Sequence, residues 1–438
     1  MKGVLLMSQM VPIILITFVI FLVINVPIAV SLGFSALISI IAVGKLPPTL
    51  VPQLIYAASD SYSLIAIPFF MLAGSLMETG GLSKRLIDFA DEIVGAVPGG
   101  LGVIAIITSM FFAAISGSGP ATVAALGGIL IPAMEEANYD KRYAAALMAT
   151  AGAIGIIIPP SIPMIVYAVQ AEVSVGNMFM GGFAPGFIFG GVLIILNYII
   201  SKKHGYKGVQ KERNLKTILK AFKSAFFALL MPVIILGGIY GGVFTPTEAA
   251  GVSVVYGFVV GAFFYRELKF KDIPQMLVKA AIGSATVLFI IMGASAFSYI
   301  IVSQGVPAAL VNFVSSATSN KIIVLLLINI LLLIAGCFLD ASSAIIVLVP
   351  LLLPLATAVG VNPLHFGIIM VVNLAIGLIT PPVGLDLFVA CNIAKINISE
   401  IVKALLPLLI ATLIALMIIT YVPEVSLFIP RLFGATGV

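Results

Sequence analysis

Apolar residues in this chain run on far longer than one face of a soluble helix or strand requires. Residues 11–25, 178–200, 225–240, 322–336 and 404–421 are nearly unbroken hydrophobic stretches. A hydrocarbon core about 30 Å thick takes roughly 20 helical residues to cross. Outer-membrane strands alternate instead over segments of about ten residues. The runs therefore predict membrane helices. Two longer stretches are interrupted: residues 101–171 at Gly117 to Pro120, near Pro132 and at Pro159 to Pro163, and residues 322–394 in a similar way. The pieces between are too short to cross. The pattern predicts about ten or eleven full spans plus segments that enter and turn back.

The interrupted stretches repeat each other. SGSGPATV at 116–123 is followed by Pro132, Gly155 and the pair Pro159, Pro160; LDASSAII at 339–346 is followed by Pro354, Gly377 and the pair Pro381, Pro382. Pro132 and Pro354, Gly155 and Gly377, and the two Pro–Pro pairs each stand 222 positions apart. Val26, Pro27 and Thr245, Pro246 match more roughly upstream, each at the start of a helix. A shared order at one offset points to an internal duplication. Transporters commonly carry inverted repeats, with sites near the midplane at broken helices. Charge alone does not fix the orientation, and inversion is the expectation adopted. The fold class is an all-α polytopic membrane protein of two inverted repeats, each with a re-entrant helical hairpin and a broken helix.

A helix arriving from Gly102 cannot continue through Gly117, Gly119 and Pro120. Pro120 suits the first turn of a new helix. Irregular backbone at membrane depth survives only inside protein or against a wet cavity, so this break predicts a hairpin with a buried tip. The arriving arm ends in free carbonyls from about Ala113 to Ser116, and the departing arm starts with free N–H groups near Gly119 to Thr122. Carbonyls suit a small hard cation such as Na⁺; the N–H end suits a carboxylate. The second half offers carbonyls from Gly336 to Leu339 and hydroxyls at Ser342 and Ser343. The broken helices add carbonyls before their prolines.

One cation cage per half follows. Ala113, Ser116, Gly155, Ile158 and Pro160 are the candidates for the first Na⁺ site, and Gly336, Gly377, Thr380 and Val383 for the second. Candidate substrate contacts are Ser118, Gly119, Thr122, Ser161, Ser342, Ser343, Asp340 and Asp386. The plain alternative is kinks and tight helix crossings that hold no ligand; four breaks in symmetric pairs favour function. Acidic residues in an apolar zone are costly. Asp340 and Asp386 therefore either help hold a cation or proton, or are hydrogen-bonded structural caps. Glu248 follows Thr245 by three residues, the spacing of a capping box.

Composition agrees with a membrane location. Of 438 residues, 61% are hydrophobic and 9% charged, against roughly 25% charged in soluble domains. The first helix lacks a small-residue cleavage site before Val26, Pro27 and Ile28, so a retained helix is expected rather than a signal peptide. Cys337 and Cys391 have no metal-ligand spacing and read as buried small apolar residues. His204 and His365 are too few for a histidine-built metal site. Lys202, Lys203, Lys207, Lys211, Arg213, Lys216, Lys220 and Lys223 crowd one segment, and Arg266, Lys269 and Lys271 another. Between spans these are cytoplasmic topology signals rather than a nucleic-acid patch. Residues 215–226 suit an amphipathic helix on the membrane surface. No GxxxxGK[ST] motif occurs, so energy must come from an ion gradient or another chain. Neither His-Glu-x-x-His nor a Ser paired with His appears at membrane depth, which argues against an enzyme.

The chain resembles the large membrane subunit of tripartite ATP-independent periplasmic (TRAP) transporters. The resemblance rests on AIPFFMLAG at 66–74, SGSGPATVAA at 116–125, IPPSIPMIVY at 158–167, FTPTEAA at 244–250 and LITPPVGL at 378–385. Asp386 departs from the asparagine expected there. The resemblance implies a multi-pass protein of the bacterial inner membrane and Na⁺-driven uptake of a carboxylate-bearing solute, such as a C4-dicarboxylate, sialic acid or another sugar acid. It implies two partners, a small four-helix membrane subunit and a periplasmic substrate-binding protein. The small subunit is expected as a separate chain, because none of its sequence precedes Met1. An elevator is also implied, with scaffold helices at 1–60 and 191–283, transport-domain halves at 61–190 and 284–400, and a C-terminal helix at 401–438. Within these, the hairpins are expected at about 102–134 and 322–358, and the broken helices at about 141–171 and 365–394. The alternative reading is a stand-alone Na⁺- or H⁺-coupled organic-anion symporter or antiporter without a binding protein.

Overall fold

The computed structural model describes residues 9–208 and 214–435; Lys211 and Arg213 of the basic segment, the first eight residues and residues 436–438 lie outside them. The described residues are helical, with no strand. The first half runs α1 (Met10–Val23), α2 (Ile28–Val43), α3 (Leu50–Ser59), α4 (Ala66–Thr79), α5 (Leu82–Val94), α6 (Gly100–Ser116), α7 (Gly119–Glu136), α8 (Lys141–Gly152), α9 (Ile162–Gln170) and α10 (Val175–His204). The second runs α11 (Leu215–Tyr240), α12 (Pro246–Val259), α13 (Ile273–Ser303), α14 (Val306–Ala317), α15 (Lys321–Phe338), α16 (Ala341–Ala358), α17 (Pro363–Gly377), α18 (Leu385–Ala394), α19 (Ile398–Tyr421) and α20 (Glu424–Leu432).

Eight helical stretches among the described residues are long and apolar enough to cross a membrane. That is fewer than the sequence pattern suggests, because several apolar helices stop short: α1 has 14 residues, α2 16 and α6 17. Residues 215–226 also differ from the surface helix expected. They form the first turns of α11, one continuous helix of 26 residues. Nothing between Lys223 and Met231 breaks the helix, so the basic turns feed straight into an apolar span.

The long helix α10 fixes the orientation of the halves. Its 30 residues extend about 45 Å. Its C-terminal end carries Lys202 and Lys203 and leads to Tyr206, whose carbonyl accepts the Gly99 N–H at 3.1 Å at the start of α6. The Tyr206 hydroxyl accepts the Asp140 N–H at 3.1 Å just before α8. The base of the first hairpin, α6–α7, thus lies at the basic, cytoplasmic face. The base of the second, α15–α16, lies at the other end. There Gly181, near the start of α10, packs against Leu364 and the Ser426 carbonyl, and Tyr167 at the end of α9 donates to the Pro363 carbonyl at 2.6 Å. The hairpins enter from opposite faces, and the repeats are inverted.

Buried polar bonds peg each half. Tyr139 stacks on Tyr206 with centroids 4.2 Å apart. Burial pushes the Tyr139 phenol up to about 12, so this contact outside the spans is neutral at ordinary pH. Asn197 takes the Tyr143 hydroxyl at 2.9 Å and donates to the Gly99 carbonyl at 3.0 Å. In the second half Asn373 donates to Asn329 at 2.8 Å, and Asn329 to Thr420 at 3.1 Å, joining α17, α15 and α19. Interhelical bonds of this kind contribute about 0.6 kcal/mol each, up to roughly 2.

Two groups of helices pack within themselves. α1 lies on α2, α12 on α4, and α13 on α2, α3 and α4; both hairpins, both broken helices, α10, α19 and α20 form the other group. Contacts between the groups include α4 on α6 and α9 and α13 on α16; α5 and α11 also pack on α6, and α14 on α16.

Small residues allow a close crossing of the second hairpin and its broken helix. A Cβ added to Gly377 would lie 2.5 Å from the Gly336 Cα, and one added to Gly336 3.0 Å from the Gly377 Cα. Backbone cannot yield as a side chain does, so overpacking here costs about 1–3 kcal/mol or more. Gly128, with nothing within 4 Å of its added Cβ, is the control. Gly377→Ala should lower the apparent melting temperature in detergent by several degrees, while Gly128→Ala leaves it unchanged. Equal melting temperatures would show that the crossing is not tight.

Candidate functional site

The first tip forms because Gly117 turns the chain at φ +61° and Ser118 restarts it in extended geometry at φ −140°. The Gly117 N–H bonds the Ala113 carbonyl at 3.2 Å, so one lone pair of that carbonyl is already engaged. Ser118 caps α7 by accepting the Ala121 N–H at 3.5 Å. Thr122 Oγ1 donates to the Ser118 carbonyl at 2.8 Å and lies 3.1 Å from Ser116 Oγ. Ser116, Ser118 and Thr122 are lashed together across the tip.

The first broken helix closes against this tip. After α8 a short 3₁₀ turn, Ala153–Ile156, leads into Ile158, Pro159 and Pro160, with a cis bond between the prolines. A Cβ on Gly155 would lie 2.6 Å from both the Ser118 carbonyl oxygen and Thr122 Oγ1. A Cβ on Gly117 would lie 2.9 Å from the Pro160 carbonyl oxygen. The Ile162 N–H donates to the Gly117 carbonyl at 3.4 Å. Ser161 is buried and gives its hydroxyl to the Ile156 carbonyl at 2.7 Å. Ile158 buries its side chain against Gly186. Backbone oxygens of the tip and the break thus share one small volume.

The second half repeats the plan with different side chains. Asp340 caps α16, accepting the Ser343 N–H at 3.1 Å and also the Ser343 hydroxyl. Both groups are therefore used in the structural cap. Ser342 is buried beside them. Gly336 of the arriving arm meets Gly377 of the broken helix in the crossing described above. Thr380 gives its hydroxyl to the Ile376 carbonyl at 2.7 Å and its N–H to the Gly377 carbonyl at 3.0 Å. The Pro381–Pro382 bond is cis, and Val383 stands 44% exposed. Gly384 returns the chain at φ +51° beside the Leu378 and Thr380 carbonyls.

Asp386 belongs to neither tip's cap. It follows Gly384 in the first turn of α18, and α18 packs on α7, α8 and α19. Its carboxylate reaches across to the first hairpin. A Cβ on Gly119 would lie 2.7 Å from Asp386 Oδ2 and 2.9 Å from Oδ1. The residue is fully buried, and neither carboxyl oxygen has a hydrogen-bond partner among the described residues.

Sequence reasoning missed one feature beside the first tip. Ser116, Ser118 and Ala121 line a cavity of about 90 Å³ whose other wall holds Gly74, Glu78 and Lys279. Lys279 Nζ, on α13, meets Glu78 Oε2, on α4, at 3.0 Å. The signal was present, since both are charges at the ends of apolar helices. Their pairing across 201 positions was not visible. A larger cavity of about 770 Å³ lies between Leu54 and Ala57 of α3, Ile291 and Ser295 of α13, and Val349 and Pro350 of α16.

Comparisons with known proteins agree with this architecture. The family described as the tripartite ATP-independent periplasmic transporter, DctM component, matches residues 15–425. The chain is 50% identical, over 94% of its length, to the isethionate TRAP transporter permease protein DctMQ of Oleidesulfovibrio alaskensis, and spans 65% of that relative. It is 40% identical to the C4-dicarboxylate TRAP transporter large permease protein DctM of Rhodobacter capsulatus, covering 94% of this chain and 96% of the relative. It is 36% identical to the sialic acid TRAP transporter large permease protein SiaM of Vibrio cholerae, with the same coverages. Among solved structures, the Alcanivorax borkumensis YdaH transporter has a similar fold, with a TM-score of 0.61 at 16% identity over 85% of this chain and 86% of that one. The relatives are permeases rather than enzymes, and the chain is a multi-pass inner-membrane protein. With inverted hairpins closing on broken helices and a family match over nearly its whole length, the chain belongs to the TRAP transporters as a large permease (DctM) component.

Proposed function

We propose that this chain is the translocating subunit of a Na⁺-coupled importer for a carboxylate-bearing organic anion. A periplasmic binding protein hands over the solute, and a small four-helix membrane subunit completes the complex. The group of helices holding both hairpins moves as an elevator against the group built on α2, α4, α12 and α13. The observation that carries the reading is the closure of each hairpin tip on its own broken helix, Gly117 on Pro160 and Gly336 on Gly377. This closure gathers carbonyl oxygens for a cation while the starts of α7 and α16 offer N–H groups to an anion. C4-dicarboxylates, sialic acid and 2,3-diketo-L-gulonate, in the printed names of the relatives, are carboxylate-bearing cargoes.

A second cargo, a sulfonate, is favoured by one observation. The relative at 50% identity is named for isethionate, whereas the C4-dicarboxylate relatives stand at 40% and 41%. Uptake in proteoliposomes holding the chain with its small subunit and binding protein separates the two. If the cargo is a carboxylate, unlabelled carboxylates suppress uptake and isethionate does not; the reverse pattern assigns a sulfonate. Transport by the chain alone would favour a stand-alone symporter.

Coupling is tested in the same vesicles. Uptake should collapse when the Na⁺ gradient is removed at equal pH on both sides; uptake that persists would rule out Na⁺ coupling. Ser116→Leu and Thr380→Leu should each raise the Na⁺ concentration for half-maximal uptake by about tenfold or more, equivalent to about 1.4 kcal/mol of lost ion binding. An unchanged Na⁺ dependence in both variants would remove these residues from the cages.

A further inference from the structure

Asp386 is the one acidic side chain among the described residues that is fully buried with both carboxyl oxygens lacking a hydrogen-bond partner. An ionised carboxylate in that position is strongly disfavoured unless something neutralises it. No basic group does so. Along the chain the next charge is Lys395, just past the end of α18, nine residues on and about 14 Å away along the helix. On α8, Lys141, Arg142 and Tyr143 stand at the far end, nine or more residues from Gly152, which lies beside the Gly119 carbonyl. On α7, Glu135 and Glu136 close the helix about 24 Å beyond Gly119. On α19, Glu400 and Lys403 follow Lys395 at the far end of α18. Cys391 shares α18 but lies five residues further along.

A metal cation would need a shell of several oxygens, whereas what the structure shows at the Asp386 oxygens is that no hydrogen-bond donor among the described residues stabilises their charge. No group of three or more His, Cys, Asp or Glu side chains gathers anywhere among the described residues. A proton needs no shell. We propose that Asp386 is a proton-binding site, protonated while α18 is packed against the first turn of α7 as here, and ionised when water reaches it. The proposal rests on the transporter reading above and adds a second ion to it.

The geometry supplies a route and a consequence. Ser118 and Ala121, on either side of Gly119 and Pro120, line the cavity of about 90 Å³, and Asp386 does not. The first turn of α7 therefore separates the carboxyl from that cavity, and movement of the turn exposes it. Asp386 belongs to the second half and Gly119 to the tip of the first, so one proton links the two halves. Protonation favours the packed arrangement, which is held at low pH and lost as pH rises through the titration of the site. By reciprocity, whatever binds at the first tip changes the proton affinity.

Two readouts test this. The first is labelling of the full wild-type complex in vesicles with a hydrophobic carbodiimide, which reacts with protonated carboxyls in apolar surroundings, read by peptide mass. Asp386 should be labelled at low pH. Labelling should fall roughly tenfold per pH unit above the midpoint of its titration. The second is Na⁺-driven uptake at equal pH on both sides, across a pH series, for wild type, Asp386→Asn and Asp386→Glu. With uptake normalised to each protein's own maximum, the wild type should change with pH, the Asn variant should give a flat profile at whatever rate it retains, and the Glu variant should restore a pH-dependent profile. Absence of labelling across the pH series, or a wild-type pH profile in Asp386→Asn, overturns the proposal. If the Asn variant fails to fold, labelling of the wild type still decides. Uptake that ignores Na⁺ would sink the coupling scheme and leave the labelling result standing, so the two failures are distinguishable.

Discussion

Peptide groups that leave a helix inside a bilayer must find their partners within the protein, and the rest of this structure follows from that. Four interruptions, two tips and two breaks, put unpaired carbonyls and N–H groups at membrane depth. Each tip is pressed against the break of its own half, with Gly155 on the Ser118 carbonyl and Thr122, and Gly336 on Gly377. The absence of side chains at these glycines is what lets backbone meet backbone. The same closeness brings the Ser118 and Pro160 carbonyl oxygens and Thr122 Oγ1 against the glycines of the tip and the break. Structural necessity and the proposed site are one feature seen from two sides.

Inversion distributes the feature. Because α10 crosses from the base of the second hairpin to the base of the first, the tips approach each other from opposite faces. The halves then differ in chemistry more than in backbone. Ser118 caps the first departing helix and faces a cavity, whereas Asp340 caps the second and holds Ser343. Thr380, where the first half has Ile158, keeps its hydroxyl on its own helix. Asp386 has no acidic counterpart 222 positions earlier, where Met164 stands. It joins the second half to the first tip instead of serving its own.

Much of this was legible in the sequence where the cause is local. Glycine and proline act on their own backbone, so the breaks at Gly117 to Pro120, at Pro159, Pro160 and at Pro381, Pro382 could be placed without a fold. The capping box of Thr245 and Glu248 forms as its spacing requires, with the Thr245 N–H donating to Glu248 at 2.8 Å. The offset of 222 positions located equivalent elements because it compares the chain with itself. What depends on packing was not legible. Residues 215–226 have a pattern that suits a surface helix and the start of a span equally. The Glu78–Lys279 pair joins helices of different repeats, and the approach of Asp386 to Gly119 depends on how α18 seats on α7. A fully buried carboxyl cannot be told from an exposed one by its neighbours in sequence.

If the tip and the broken helix of each half close on one cation as a unit, the ion protects both together. Hydrogen exchange of the amides in the purified complex, compared in Na⁺ and in K⁺ at equal ionic strength, tests it most directly. Na⁺ should slow exchange at 113–122 together with 153–162, and at 336–344 together with 376–384, with little change in α2 or α12. Exchange that is the same in Na⁺ and K⁺ at all four segments, or protection of a tip without its break, would contradict it.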